Sequence, residues 1–389
     1  MKILISNPGS TSYKCKLYDM TTEAILFQAG VERIGDELGL LTFHFNDTES
    51  IREELKVPDY AFAVNLCLEK MQSCYSIEEV AAIGFKTVHA KNVTGCVELD
   101  ESVIRAMKEY MPLVPVHNQV YLTAIDVFRE LLPEKPLVGL FETHFHTQIP
   151  DEAAMYGVPY AWVEKHGVRK YGFHGASHRY IAQTAAELFG TRKIISCHLG
   201  GSSSVCAIRD GVSIDTSMGM SAQTGCLNAK RVGDLDPFAL LYVMEKENLS
   251  IEAMRQILIS KSGVYGLSDL SGDFRDIDEA MQEGNAKARL AFETFAYVVK
   301  RYIGEYLAIL NGADCIVFTG GLGQFSPIMR KTILSDMDNL GIRLDPKKNE
   351  ANPPSGLISS LESTVQIAIL PTNEELIVAR EVKQWMDKQ

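Results

Sequence analysis

Short apolar runs and longer amphipathic stretches alternate along the chain. Runs at 193–197 and 205–208 predict two strands, and Asp210-Gly211 after the second is a tight-hairpin signal. Further strands are predicted at 80–88, 136–141, 314–318 and 365–370. Helical spacing of apolar residues predicts helices over 50–75, 102–110, 122–132, 180–189, 279–310 and 376–386, with two more within 238–258. Between these lie a polar stretch with His117 and Asn118 in a Pro-marked turn, a Gly/Ser-rich loop at 262–277, and a glycine-rich turn after 318.

One pattern occurs twice. Residues 2–19, KILISNPGSTSYKCKLYD, overlie KIISCHLGGSSSVCAIRD without a gap, bringing Lys2 onto Lys193, Gly9 onto Gly200, Ser12 onto Ser203, Cys15 onto Cys206 and Asp19 onto Asp210. A single repetition is too short for a solenoid. It predicts two related domains, each opening with a strand–turn–strand whose glycines let the backbone approach and cradle a phosphate. Facing each other across a cleft, two such turns would grip a polyphosphate. The competing reading is a chance likeness of two ligand-free hairpins.

The 389 residues are enough for two domains, and 46% apolar with 23% charged residues is ordinary for a globular enzyme. A net charge of −12 argues against nonspecific binding to nucleic acid or to an anionic membrane. No apolar run reaches the ~18–20 residues that span a bilayer, and no secretory pattern opens the chain, so a cytoplasmic protein is expected. The eight cysteines form no CxxC and no zinc spacing, which predicts buried, reduced thiols.

Several polar residues stand where strands end or helices begin. Ser10, Ser12 and Lys14 share one strand face and suit phosphate oxygens. Lys86 stands at the end of the predicted strand 80–88 and Glu142 directly after the strand 136–141, the usual ligand position of open α/β sheets. His174, in RKYGFHGASH, precedes a helix and suits a phosphate contact; its HxxxH spacing with His178 lacks the acid of a zinc motif. Arg231 offers a planar fork for carboxylate or phosphate. Glu374 and Glu375 open the last helix, either as a capping arrangement or as ligands of a hydrated Mg²⁺.

Taken together, these segments resemble the acetate kinase and short-chain carboxylate kinase family, within the actin, hexokinase and heat-shock ATPase superfamily. NPGSTSYK resembles that family's N-x-G-S-S-S-x-K and RKYGFHGASH its Y-G-F-H-G-T-S-H; DTSMG, GDLDP, GLSDLSGDFRD, FTGGLG and PTNEEL follow in the family's order. The resemblance implies an α/β fold of two actin-like (ribonuclease H-like) domains around a central cleft. The first spans 1–146 and is completed by 374–389; the second spans 147–373. It implies transfer of a phosphoryl group from ATP, with Mg²⁺, to a short-chain carboxylate, giving an acyl phosphate, and a homodimer formed through the second domain. It further implies catalytic roles for Arg231, His174, Glu142 and Lys86, and carboxylate binding by Lys86, His117 and Arg231. Nucleotide and phosphate contacts fall on Ser10, Ser12, Lys14, His198, Gly200, Gly201, Ser202, Asp273, Phe274, Arg275, Gly320, Gly321, Leu322 and Gly323. Asn7 and Glu374 fall at the metal.

The sequence departs from the family pattern within the site. Lys86 stands for an arginine, Glu142 for an aspartate, Gly201 for an asparagine, NAKR for M-G-T-R, and Gln324-Phe325 for Glu-Asn. Lys86 keeps a charge but loses the bidentate fork, and Glu142 is longer by one methylene; a paired change, a shorter reach on one side met by a longer one on the other, is one reading of the two. These departures define three other readings: a kinase for a different acid, a pyrophosphate-dependent kinase whose adenine pocket Phe325 fills, and a non-catalytic relative with a binding or regulatory role.

Overall fold

The computed structural model describes every residue except Ser10 and Asp47, and Val116 in its main chain only. The chain divides into two compact units, Met1–His144 with Asn373–Gln389, and Phe145–Thr372.

The first unit is built on an eight-stranded sheet. Its strands are β1 (Lys2–Pro8), β2 (Ser12–Asp19), β3 (Ala24–Glu32), β4 (Gly39–Phe45), β5 (Ile51–Leu55), β6 (Val80–Phe85), β7 (Cys96–Glu98) and β8 (Leu137–Leu140), in the order β5-β4-β3-β2-β1-β6-β8-β7. β1, β6 and β8 run parallel, and β1 through β5 form an antiparallel meander. Ile3, Leu4 and Ile5 on β1 and Ala82, Ile83 and Phe85 on β6 are all at most 1% exposed, as expected for strands covered on both faces. The C-terminal helix Glu374–Met386 packs on β1, β6 and β8, so the last residues complete the first unit. Gly84 makes room for it: a Cβ there would meet Val382 Cγ2 at 3.1 Å.

The second unit holds a six-stranded sheet, β11-β10-β9-β12-β14-β13. It comprises β9 (Lys193–His198), β10 (Ser204–Arg209), β11 (Val212–Thr216), β12 (Cys315–Thr319), β13 (Gly356–Leu357) and β14 (Gln366–Ile369). β9 and β14 run parallel to β12. Asp210 and Gly211 take φ of 52° and 79°, the positive values that a two-residue hairpin turn demands. The long helix Ala286–Leu310 buries Ala291, Phe295, Val299, Ile303 and Tyr306 in this unit's core.

The repeated hairpins occupy the same topological place, each an antiparallel pair whose first strand continues into a parallel ladder. Their registers differ by one residue. Pro8 pairs with Tyr13, and the gapless overlay sets Leu199 against Ser204, whereas the structure pairs His198 with Ser204. The second turn absorbs the extra residue by folding Ser203 inward, where its Oγ accepts from Gly200 N (3.1 Å) and its N donates to Asn228 Oδ1 (2.7 Å).

Elsewhere local chemistry overrides the pattern. Residues 51–55 are strand β5, and the helix begins only at Tyr60, where Asp59 accepts from Phe62 N at 2.9 Å. The strand at 80 ends at Phe85, ahead of Lys86. His117 and Asn118 lie in the first turn of the helix Pro115–Leu131, because proline at a first helical position starts a helix as readily as it marks a turn. The helix at 180–189 begins earlier, at Gly175. The 262–277 loop carries the helix Gly263–Ser268 and the start of Phe274–Gln282, and Asn285 caps a separate helix from Ala286. The glycine-rich 320–325 segment is itself a short helix, Gly320–Phe325.

Candidate functional site

In the first unit, polar groups gather beyond the carboxyl ends of β1, β6 and β8, where a parallel sheet leaves its ligand-facing edge. Asn7 is on β1, Lys86 follows β6, Glu142 follows β8, and Glu374 and Glu375 open the C-terminal helix, whose N-cap is Asn373. Lys86 Nζ pairs with Glu374 Oε2 and lies 3.7 Å from Glu142 Oε1. Burial alone would push the Lys86 ammonium down. The Glu374 and Glu142 carboxylates override it and hold Lys86 well above the usual lysine range. Asn7 Nδ2 donates to Glu375 Oε1 at 3.3 Å, and Lys16 Nζ approaches Glu375 Oε2 at 3.7 Å. Tyr121 Oη reaches Asn7 Oδ1 at 3.5 Å, and burial pushes this phenol up, so it stays protonated.

Lys86, Glu142 and Glu374 are thus brought together, with Asn7 beside Glu375 instead of Glu374. Ser12 is half-buried and Lys14 exposed on one face of β2; Ser10 lies outside the described residues. His117 is half-buried on the helix Pro115–Leu131. Tyr121 and Glu375 are the additions to the expected set. Tyr121 was signalled only by standing four residues, one helical turn, after His117, and Glu375 only by its place in the acidic pair.

In the second unit, four histidines cluster. His174 precedes the helix Gly175–Phe189 in a left-handed conformation (φ 56°). Its ring stacks on His198 at 4.3 Å and 24°, and its Nδ1 lies 2.8 Å from Ser204 Oγ. His198 Nδ1 lies 2.8 Å from Ser177 Oγ. His178 is buried between Ser196 Oγ (2.9 Å from Nδ1) and Ser204 Oγ (2.8 Å from Nε2), and burial pushes it well below the usual histidine value. His146, held by Ser213 and by the Phe173 carbonyl, is pushed by burial down to about 4. Serines partner all four rings, and among the described residues no His/Cys/Asp/Glu group is arranged to hold a metal ion.

Arg231 is half-buried, its Nη1 donating to Ala222 O at 2.9 Å. Among the described residues no carboxylate pairs with it, and burial pushes it down to about 10. The main chain around it is tightly fixed. Asn228 N donates to Arg231 O, Val264 N to Asn228 O, and Ser262 N to Lys230 O. Gly263 (φ 65°) fits only because it lacks a Cβ, which would stand 2.2 Å from Asn228 O and 2.6 Å from Arg231 O.

A cavity of about 830 Å³ opens beside this loop. The 199–203 turn, the Asp273–Arg275 segment and the helix Gly320–Phe325 bound it together, contributing Gly200, Gly201, Asp273, Phe274, Arg275, Gly321, Leu322 and Phe325. Leu199 O accepts from Leu322 N and Gly323 N, locking two glycine-rich segments to one another, and Gly320 (φ 75°) permits their close approach. Ala229 N donates to Gly201 O and ties the same turn to the Arg231 loop. Asp273 caps its helix through Arg275 N and pairs with the Arg275 guanidinium, which pulls its carboxyl down to about 2. Phe325 does not fill the cavity: it is 66% exposed at the rim, and Gln324 turns away to donate to Pro354 O. His198, Ser202, Gly320 and Gly323 adjoin the cavity segments without lining it.

A cavity of this size suits a nucleotide. Glycine-rich turns at its mouth, in a unit that repeats the opening hairpin of its neighbour, belong to the phosphotransferases of the actin-like fold. Residues 2–380 match the acetokinase family model, and the chain belongs to the acetokinase family, enzymes that transfer a phosphoryl group from ATP to a carboxyl group. It is 44% identical over 391 residues to the acetate kinase of Carboxydothermus hydrogenoformans, covering 98% of each chain. It is 41% identical over 394 residues to that of Methanosarcina mazei, covering 99% of this chain and 97% of the relative. Among solved structures, Porphyromonas gingivalis acetate kinase matches with a TM-score of 0.87 at 36% identity over 99% of both chains. A propionate kinase from Francisella tularensis matches with a TM-score of 0.90 at 31% identity over 98% of both.

Proposed function

We propose that the chain phosphorylates acetate, or an acid within a carbon or two of it, with Mg²⁺-ATP, and that the cavity of the second unit takes the nucleotide. The observation that carries this reading is the cavity itself: three segments far apart in sequence converge on it, and it stays open beside Phe325. The adenine would lie against Phe274, Leu322 and Phe325, the ribose toward Asp273 and Arg275, and the phosphates toward Gly200, Gly201 and Ser202. Arg231, a guanidinium with no carboxylate partner among the described residues, is suited to the acid's carboxylate and to transition-state charge. His174, backed by His198, would hold the transferring phosphoryl group, with Ser12 and Lys14 as further anion contacts. Lys86 and His117 would line the acid's pocket, with Glu142 fixing Lys86.

The donor set of the first unit fits Mg²⁺. Asn7, Glu374 and Glu375 are hard oxygen ligands, and so small a protein set is normal for an ion held mainly by phosphate and water. When bound, the ion would neutralise phosphate oxygens; Lys86 and Lys16 compensate the two glutamates without it.

The reading extends to a homodimer in the cytoplasm. Among the described residues no helix is long and apolar enough to cross a membrane. The helix Pro237–Glu247 buries none of its residues and exposes Phe238 (75%), Leu241 (59%) and Tyr242 (61%). Such a face calls for a partner, and a second copy of this chain is proposed.

Acyl-hydroxamate formation tests the reaction. Acetate, propionate and butyrate are each offered with ATP or pyrophosphate, with and without Mg²⁺. Mg²⁺-dependent product with ATP and acetate or propionate is expected. Product only with pyrophosphate would overturn the nucleotide assignment.

A further inference from the structure

Two residues that line the second unit's cavity side by side depart from the family pattern. Gly201 stands for an asparagine, and Lys230 stands in NAKR for the threonine of M-G-T-R. The backbone does not demand the glycine. Gly201 lies outside the positive-φ region, and a Cβ on it would meet no atom within 4 Å. Its missing side chain leaves open space in front of the 199–203 turn.

Lys230 is rooted beside that space. Ala229 N donates to Gly201 O at 3.0 Å, so Lys230 directly follows the residue tied to the turn. The main chain there is fixed, since Ala229 O accepts from Tyr265 N at 2.9 Å and Lys230 O from Ser262 N at 3.1 Å. The side chain beyond it is exposed, and a flexible four-carbon stem carries the ammonium. Lys230 Nζ lies over the Tyr265 ring, 5.6 Å from its centroid, a face that attracts a cation without neutralising it. Among the described residues no carboxylate forms an ion pair with Lys230.

The other charged groups of the cavity wall are engaged. Asp273 and Arg275 pair with each other, and Asp278 Oδ2 accepts from Gln282 Nε2 at 3.4 Å. Asp278 also stands one helical turn after Phe274, whose ring packs on Phe292, so this acid belongs to the aromatic side of the cavity. The uncompensated cation therefore lies on the glycine side, and the anionic part of a ligand is drawn there.

We propose that Lys230 is a phosphate-binding residue that makes the cavity select nucleotides by charge, its ammonium pairing with the phosphate chain in the space that Gly201 leaves open. The proposal rests on the reading of this cavity as the nucleotide site. A carboxamide on the turn is exchanged for an ammonium from the loop beside it, which brings a full charge to oxygens that an amide would meet as a neutral donor. Adenosine, which has no phosphate, gains nothing from it.

The test is calorimetric titration of the full chain with adenosine, ADP and ATP. Lys230→Met is expected to raise the Kd of ATP and ADP by about tenfold and to leave that of adenosine within about twofold. Lys230→Arg, which keeps a cation, should retain most of the ATP affinity. Added salt should weaken ATP binding less steeply in Lys230→Met than in the unmutated protein. Gly201→Leu fills the space, and in that background Lys230→Met should change the ATP Kd by no more than about twofold. An unchanged ATP Kd in Lys230→Met would overturn the proposal and leave the nucleotide reading standing, and so would a full tenfold effect that persists in Gly201→Leu. An unmutated protein that binds neither adenosine nor ATP would overturn both.

Discussion

Lys86 Nζ lies 3.7 Å from Glu142 Oε1 while it pairs with Glu374, so one ammonium compensates two carboxylates from opposite ends of the sequence. Glu142 is 5% exposed and Glu374 14%, too little for water to replace the lysine. Lys86→Met takes the ammonium away from two little-exposed carboxylates and should cost about 3 kcal/mol of unfolding free energy. Chemical denaturation measures this. Lys86→Arg should stay within about 1 kcal/mol, and adding Glu142→Gln to Lys86→Met should recover a substantial part of the loss.

Arg231→Ala should abolish acyl phosphate formation with little change in melting temperature, because among the described residues this side chain hydrogen-bonds Ala222 O and forms no ion pair with a carboxylate. Arg231→Lys keeps charge but not the fork, and should lose on the order of 10²–10³ in kcat. Near-normal turnover in Arg231→Ala would show that the site is wrongly assigned.

Phe325 stands at the cavity rim with most of its ring exposed. Stacking of an aromatic ring on a base contributes roughly 1–3 kcal/mol, so Phe325→Ala should raise the ATP KM by about tenfold and leave the acid's KM alone. Equal changes in both constants would place Phe325 elsewhere in the cycle.

His146 gives a pH dependence whose sign is fixed. Its folded value, pushed down to about 4, lies below an unfolded value of about 6.5, so the unfolded chain binds the extra proton between them. The stability is fully present above about pH 6.5 and is lost as pH falls toward 4. The loss approaches about 3 kcal/mol. Denaturation midpoints from pH 7 to 4 should fall less steeply in His146→Gln than in the unmutated protein.

Leu241 lies on a helix with no buried residue. Leu241→Asp should shift a dimer to monomer in sedimentation velocity. A protein that sediments as a monomer before mutation would remove the basis for the proposed assembly.

The sheet strands and the repeated hairpin were legible in the sequence because period-two and continuous apolar runs are strong signals. The pattern does not predict strands β3, β4, β7, β11 or β13: residues 212–237 read as one long loop although β11 occupies Val212–Thr216, and the polar strand β5 reads as part of a helix. Its exposed edge, Ile51–Leu55, lacks the burial that marks a strand. Helix starts were misread where a single proline or asparagine decides them, at Pro115 and Asn285. The candidate site was legible as residue types at strand ends and glycine turns. Its wiring was not: which glutamate meets Lys86, and how Ser204 bridges two histidines, depend on register and rotamer, and a one-residue slip in the second hairpin is invisible to a gapless overlay.

The first unit is assembled from the two extremes of the polypeptide, with the whole second unit inserted between them. On a ribosome, the second unit is finished while the first still lacks its closing helix. Until Glu374 emerges, the Lys86 ammonium lacks one of its two carboxylates, and the face of Gly84 on which Val382 will pack is uncovered. The nascent chain therefore carries an exposed sheet face through most of its synthesis.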